Sequence, residues 1–238
     1  RSWLAPEFTA NRPRLKWIIL AFCQSCSSVT GLSRRWLARS IFDTCPLTAL
    51  ILANATSLPH MRITSWNMLH GMEIPPNPAG PSPAALRAAI AQLDCEVIAV
   101  QEVDYNLPRS GGSNQIGEIA AANNAAHWAF APSIVGTPGE SWRRLKAGED
   151  RIVSNKAPSD LAGSYGIAIA SQIPVISWHR LDLGNSPVGM PLIVPTESET
   201  SSKAKLRAIY VHDEPRLALG ATLANGWTIF NTHLSFVP

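Results

Sequence analysis

Charge is scarce in this sequence. Asp, Glu, Lys and Arg make up 16% of its 238 residues, against about a quarter in ordinary globular domains. The net charge is only +3, and it is concentrated. Residues 1–60 hold seven Arg or Lys against Glu7 and Asp43, so the rest of the chain is slightly negative. A broad basic face for gripping a nucleic-acid backbone is therefore not indicated after residue 60. Cysteine is sparse as well. Three of the four (Cys23, Cys26 and Cys45) precede residue 60, so a disulfide framework for the remainder is not expected. Cys23 and Cys26 have CxxC spacing, but no second Cys pair or His pair follows at metal-site distance. Cys95 falls between a helical pattern and a strand pattern and reads as a core residue. No apolar run reaches the ~18 residues that cross a bilayer. WIILAF, residues 17–22, is too short. With Arg12, Arg14 and Lys16 before it, the run suits the apolar centre of a signal peptide, although the next forty residues do not look like a mature start.

What is plentiful is apolar residues, 46%, and proline, 19 residues. The chain can bury a sizeable core, as one large domain or two small ones, with many loops. Residues 1–60 show no sustained period of 2 or 3.6. They are expected to be an irregular lead, either a targeting segment or sequence not natively translated, with Met61 as the natural start. The chain is then cytoplasmic if Met61 begins it, and secreted if the lead is a signal.

From Met61 the pattern becomes regular. MRITSWN reads as a strand, PPNPAGPSP as a loop, and SPAALRAAIAQLD as a helix. Ser82 is its N-cap, Pro83 lies in its first turn, and Leu86, Ile90 and Leu93 share one face. EVIAVQE (96–102) is nearly continuous in apolar residues, which predicts a strand buried on both faces. A short Ala-rich helix is predicted over 115–126, a strand over HWAFAPSI, and an irregular insertion over 136–163. YGIAIAS (165–171) and VISWHRLDL are predicted strands, and 185–204 a polar loop. RLALGATLA (216–224) and WTIFNTHL (227–234) form a hairpin on Asn225-Gly226, the dipeptide suited to a type I′ turn.

Three strand ends stand out. The first delivers Asn67, the second Glu102, the last Asn231 and His233. A carboxylate at a sheet rim can hold a hard cation that prefers oxygen ligands. An imidazole beside it can donate to a phosphate oxygen or leaving group. Taken singly, Asn67 reads equally as a turn former, His233 as a structural histidine and Arg216 as an exposed strand opening. His70 reads as a loop cap; His127, His179 and His212 read as surface positions.

SWNMLHG, VIAVQEVD, YGIAIAS, and PRLALGATL followed by FNTHLS occur in this order. Together they resemble the endonuclease/exonuclease/phosphatase family, the metal-dependent phosphoesterases that include DNase I-like nucleases and neutral sphingomyelinases. The resemblance runs from 61 to 238 and is closest to bacterial members. It implies an α/β (α+β) fold, a four-layer α/β/β/α sandwich of the DNase I-like type. It implies Mg²⁺, or Mn²⁺, on Glu102, with Asn67 orienting the metal site and the substrate phosphate. His233 is implied to contact the phosphate or assist the leaving group, Arg216 to support the site, and Asp104 to assist. Tyr165 and Ser171 match the family's YGNA…LS strand, with Ile167 where Asn is frequent.

The family's GDxN and SDH motifs do not occur. The resemblance therefore implies a domain incomplete in its C-terminal half. An uncovered sheet face of several hundred Å² forfeits on the order of 10 kcal/mol at roughly 25 cal/mol per Å². The expectation is a phosphoester hydrolase in the complete protein and a poorly folded, silent chain in isolation. A non-catalytic interaction module on the same fold and a non-functional gene fragment are the alternatives. The substrate is a phosphoester, whether nucleic acid, phospholipid head group or small phosphodiester, with no obligate protein partner. The insertion at 136–163, with Trp142, Arg143, Arg144 and Lys146, is the local candidate for substrate contact, or else a solvated basic loop.

Overall fold

The computed structural model describes residues 16–22, 61–74, 77, 82–157, 161–196 and 205–235. In chain order the strands among them are β1 (Lys16–Phe22), β2 (Ile63–Asn67), β3 (Val97–Tyr105), β4 (His127–Gly136), β5 (Trp142–Arg144), β6 (Val153–Ser154), β7 (Ser164–Ser171), β8 (Val175–Gly184), β9 (Met190–Thr196), β10 (Lys205–Val211), β11 (Arg216–Leu223) and β12 (Trp227–His233). The helices are α1 (Pro83–Ala91) and α2 (Gln115–Ala122).

The first sheet runs β2-β3-β7-β4-β5, with β6 also on β4. Only its β2–β3 pair is parallel, because α1 carries the chain back between those two strands. Ser82 caps α1 by accepting from the Ala85 N–H at 3.3 Å, and Pro83 occupies the first turn, where its missing N–H costs nothing. Asn114 caps α2 in the same way, accepting from Gly117 at 3.0 Å. The second sheet runs β1-β12-β11-β8, and β9 pairs with β10 in a separate ribbon.

All nine residues of β3 are buried, and they alternate between two cores. Ile98 and Val100 face α1 and α2 together with Leu86, Ile90, Ile116 and Phe130. Val97 and Ala99 face the second sheet, against Leu217, Leu219, Leu223 and Ile229. Period-2 alternation thus divides one apolar strand between a helix layer and a sheet layer. The described residues form an α/β/β stack, and no helix among them lies on the outer face of the second sheet. Gly166 is required where β7 meets β4: a Cβ there would stand 2.1 Å from the Ala131 carbonyl oxygen.

Several expectations are corrected. Residues 16–22, inside the stretch read as irregular, form β1, parallel to β12, with Phe22 in register with His233. The rest of 1–60, with Cys23, Cys26 and Cys45, lies outside the described residues, as do most positions of the proline-rich loop. The insertion at 136–163 contains β5 and β6. Over 190–196 the supposed polar loop is strand β9, although it carries Pro191 and Pro195. Each strand of a two-stranded ribbon has an unpaired edge, where a missing N–H is tolerated. α2 ends at Ala122, earlier than expected, with Asn124 at φ +52° behind it. The β11–β12 hairpin is present, but of its two turn residues only Gly226 has positive φ. A three-residue connection closed by a left-handed glycine therefore replaces the type I′ turn. Cys95 is buried, as expected.

Candidate active site

The β3 alternation breaks where chemistry becomes possible. Val100 is in register with Ala168 and Val103 with Gly166, so Gln101 and Glu102 share the space opposite Ile167. This is a β-bulge, a device that re-aims side chains. Glu102 takes the strain, with φ +58°, in a region that non-glycine residues rarely enter. Gln101 turns into the sandwich and donates to Asn231 Oδ1 at 2.6 Å. Glu102 turns to the rim. Beyond the bulge the parity has changed, and Val103 and Tyr105 now face the helix core.

The rim gathers four of the residues singled out from the sequence: Asn67, Glu102, His233 and Arg216. Asn67, at the end of β2, donates from Nδ2 to Glu102 Oε1 at 2.8 Å. Its own Oδ1 accepts from the Leu69 N–H at 3.1 Å, which starts the tight turn 69–71. His233, at the end of β12, brings Nε2 to 3.8 Å from Glu102 Oε1. Arg216, the first residue of β11, brings Nη1 to 3.4 Å from His233 Nδ1. A guanidinium only donates, so Nδ1 accepts and the imidazole proton sits on Nε2, facing Glu102. Burial, together with the Arg216 charge, lowers the His233 pKa to about 4. The ring is therefore neutral near pH 7, and its contact with Glu102 is not an ion pair.

Asp104 does not reach this group directly. Its side chain is fully buried and held by Arg109 through Nε at 2.9 Å and Nη2 at 2.7 Å. Arg109 in turn lies 5.7 Å over the Tyr165 ring. Burial, then the Glu102 and Glu214 charges, push the Tyr165 hydroxyl well above its usual range. Gln115 locks the floor, donating to the His70 carbonyl at 2.6 Å and accepting from the Asp104 N–H at 2.8 Å. Asn231, read as a rim residue, is instead fully buried inside the sandwich.

Two acids were missed, Asp213 and Glu214, which precede β11. Asp213 Oδ1 accepts from Arg216 Nη2 at 2.9 Å, and Oδ2 accepts from the Ser186 N–H at 2.7 Å. Burial would push the Asp213 carboxyl up, but Ser186 and Arg216 prevail and hold it below its ordinary value. Burial pushes Glu214 up to about 7; Arg216 pulls it back, while Glu102 and Asp213 push it further. The signal available in the sequence was the run Asp213-Glu214-Pro215-Arg216, two acids and a base crowded at the mouth of an apolar strand.

The Asp213 link has an acid signature. A depressed folded-state pKa stabilises fully above the unfolded value of about 4 and is lost as pH falls through the folded one. Asp213→Asn in the full-length protein is expected to lower stability at pH 7 and to flatten its decline below pH ~4. Urea unfolding at a series of pH values measures both. An unchanged slope would remove Asp213 from the acid response.

The sandwich thus aims an acid, an amide, an imidazole and a guanidinium at one rim. The chain belongs to the Endonuclease/Exonuclease/phosphatase family, whose model matches residues 64–227. That family comprises hydrolases of the phosphoesterase and nuclease superfamily, generally dependent on a divalent metal; of the four α/β/β/α layers expected from the sequence, the described residues supply three, α/β/β. No curated protein matches the chain. Among solved structures, an endonuclease/exonuclease/phosphatase from Beutenbergia cavernae DSM 12333 is similar, with 20% identity and a TM-score of 0.42. The match covers 74% of this chain and 38% of that one, so the chain spans well under half the length of that structure.

Proposed function

We propose that this rim is the reaction centre of a metal-dependent phosphoester hydrolase, acting on a phosphodiester in the full-length protein. The observation that carries the reading is Glu102. Its carboxylate is held in a strained bulge by Asn67 and faced by the Nε2–H of a neutral His233. Backbone strain of this kind costs about 1–3 kcal/mol and persists where function requires the geometry.

The donor chemistry fits a hard cation. Glu102 offers carboxylate oxygens, while Asn67 steadies one of them through Nδ2, its own Oδ1 being taken by the Leu69 N–H; Mg²⁺ is commonly held by one or two carboxylates with waters completing the shell. Among the described residues no three His, Cys, Asp or Glu converge into a metal cage, and Glu102 is the carboxylate that would hold the ion. When bound, Mg²⁺ or Mn²⁺ supplies Lewis-acid polarisation of the phosphoryl group.

The chain's own residues do the rest. Asn67 fixes the carboxylate. Arg216 keeps the His233 proton on Nε2, aimed at the space beside Glu102, where it donates to a phosphoryl oxygen as charge develops. Asp213 holds Arg216 in place. Glu214, with its carboxyl at about 7, is the group able to hold or release a proton near neutrality.

The test is turnover of bis-p-nitrophenyl phosphate by the full-length protein, with and without Mg²⁺. Chelator-sensitive turnover that falls at least tenfold in Asn67→Ala and His233→Ala supports the reading, since each removes a hydrogen bond to the charged centre. Turnover indifferent to chelator defeats it. A folded protein with no turnover favours a non-catalytic module.

A further inference from the structure

A cleft of about 630 Å³ opens beside the reaction centre, between the β4–β5 edge of the first sheet and the segments that follow β8 and precede β11. Its wall includes Asp213, the residue that grips Arg216, so it lies one side chain from the group facing His233. Its size suits a single small-molecule moiety, since ligand sites run about 300–1,000 Å³.

Three properties define what it accepts. Trp142 lines it and is backed by the apolar cluster of Leu107, Ile134 and Tyr165. The indole is thus a plate set by packing, suited to stacking a flat ring. Beside it stand donors and acceptors of both kinds: the Arg144 guanidinium, the Glu140 carboxylate and the Asn185 amide. Arg144 is steadied by Asn185, to which Nη2 donates at 2.6 Å. Finally, the charges balance. Arg144 opposes Glu140, and Asp213 is committed to Arg216. A second phosphate or a polyanion calls for a surplus of cations, which is missing. The other bases of the insertion do not supply it: Arg143, Lys146, Arg151 and Lys156 do not line the cleft, and Arg143 is bound through both terminal nitrogens to Glu149 at 2.7 and 2.8 Å.

We propose that this cleft is a subsite for one nucleoside of the phosphodiester, with the base stacked on Trp142 and its polar edge read by Arg144, Glu140 and Asn185. An aromatic plate with donors and acceptors at its margin matches a nucleobase, which has a π-face and a mixed hydrogen-bonding edge. This rests on the phosphoesterase reading and narrows its substrate to nucleotide-type diesters.

The experiment compares three esters that share one leaving group: p-nitrophenyl thymidine 5′-phosphate, methyl p-nitrophenyl phosphate and p-nitrophenylphosphorylcholine. Each is hydrolysed by the full-length protein with Mg²⁺. Base–aromatic stacking contributes about 1–3 kcal/mol. Trp142→Ala is therefore expected to cut the preference for the thymidine ester over the methyl ester about tenfold, mostly through KM. Trp142→Phe should recover part of it. Arg144→Gln, at an exposed side chain with no core role, should lower the same ratio severalfold. Thymidine 5′-monophosphate binding to Glu102→Gln protein, read by calorimetry, should weaken in parallel when Trp142→Ala is added.

An unchanged ester ratio in both Trp142→Ala and Arg144→Gln overturns the subsite while leaving the phosphoesterase reading intact. A Trp142-dependent preference for the choline ester overturns the nucleoside assignment. Trp142-dependent nucleotide binding with no hydrolysis of any ester upholds the subsite and overturns the phosphoesterase reading.

Discussion

Asn231→Asp is expected to leave no cooperatively folded protein at pH 7. Asn231 is fully buried on β12, where the side chain ties three strands of the two sheets together. Its Nδ2 donates to the Val100 carbonyl and to the Ala168 carbonyl, both at 2.9 Å. Its Oδ1 accepts from Gln101 Nε2 at 2.6 Å. A carboxylate in its place turns the two-donor end into an anionic oxygen aimed at two carbonyl oxygens. Each buried carbonyl left without its donor costs about 1–3 kcal/mol, and an unpaired buried charge adds several more. The sum, of order 5 kcal/mol or above, reaches the total stability of many domains.

The shape of the failure is specific. The introduced carboxyl has its pKa raised in the folded state. It therefore destabilises progressively as pH rises from the unfolded value of about 4, and least when protonated. Protonated, it regains one donor and can satisfy one of the two carbonyls. Urea unfolding at pH 3.5 and pH 7, compared with Asn231→Ala, separates charge from lost hydrogen bonds. Equal stability of Asn231→Asp and Asn231→Ala at pH 7 would refute the account.

Asn231 also shows where reading a sequence stops. Its place near a strand end suggested the rim, but on β12 it shares a face with Ile229, and that face looks into the sandwich. Only the pairing of the two sheets reveals that two residues apart can mean a tie within the core for Asn231 and a rim group for His233. The runs SWN, VIAVQE and NTHL were legible because local pattern and family likeness agreed, and Asn67, Glu102 and His233 do meet. The cap of α1 was legible because Ser82-Pro83 is local chemistry. β1 was not, since its partner β12 lies some two hundred residues away in sequence. Nor was the bulge: nothing in VIAVQEVDY announces that Gln101 and Glu102 will share one position opposite β7. Asp213 and Glu214 were hidden because their importance comes from the neighbours that β11 gives Arg216. Trp142 and Arg144 are distinguished from Arg143 by the cleft they line and by the Glu149 contact that takes Arg143 out of contention.

The bulge leads to the second large effect. Glu102→Gln is expected to lower Mg²⁺-dependent turnover of the full-length protein by roughly a thousandfold, about 4 kcal/mol in the barrier. The amide keeps the volume and can still accept from Asn67 Nδ2, so the loss isolates the charge that a divalent ion requires. Turnover within tenfold of the parent would remove Glu102 from the ion's coordination. Folding should respond in the opposite sense, because a buried carboxylate close to Glu214 is a burden, and the melting temperature should hold or rise. The backbone can be tested apart from the charge. In an ordinary strand Gly is roughly 0.5–1 kcal/mol worse than Ala. At φ +58° the order reverses, since a Cβ in the left-handed region costs about 1–2 kcal/mol. Glu102→Gly is therefore expected to be more stable than Glu102→Ala by about 1 kcal/mol, both lacking the carboxylate and both inactive. Denaturant midpoints decide it. Gly more stable than Ala means that β3 is strained to aim one acid at the rim, whereas Ala more stable than Gly means that the bulge relaxes once the acid is gone. In that case the hydrogen bond from Asn67, rather than the β3–β7 pairing, holds Glu102 in its strained geometry.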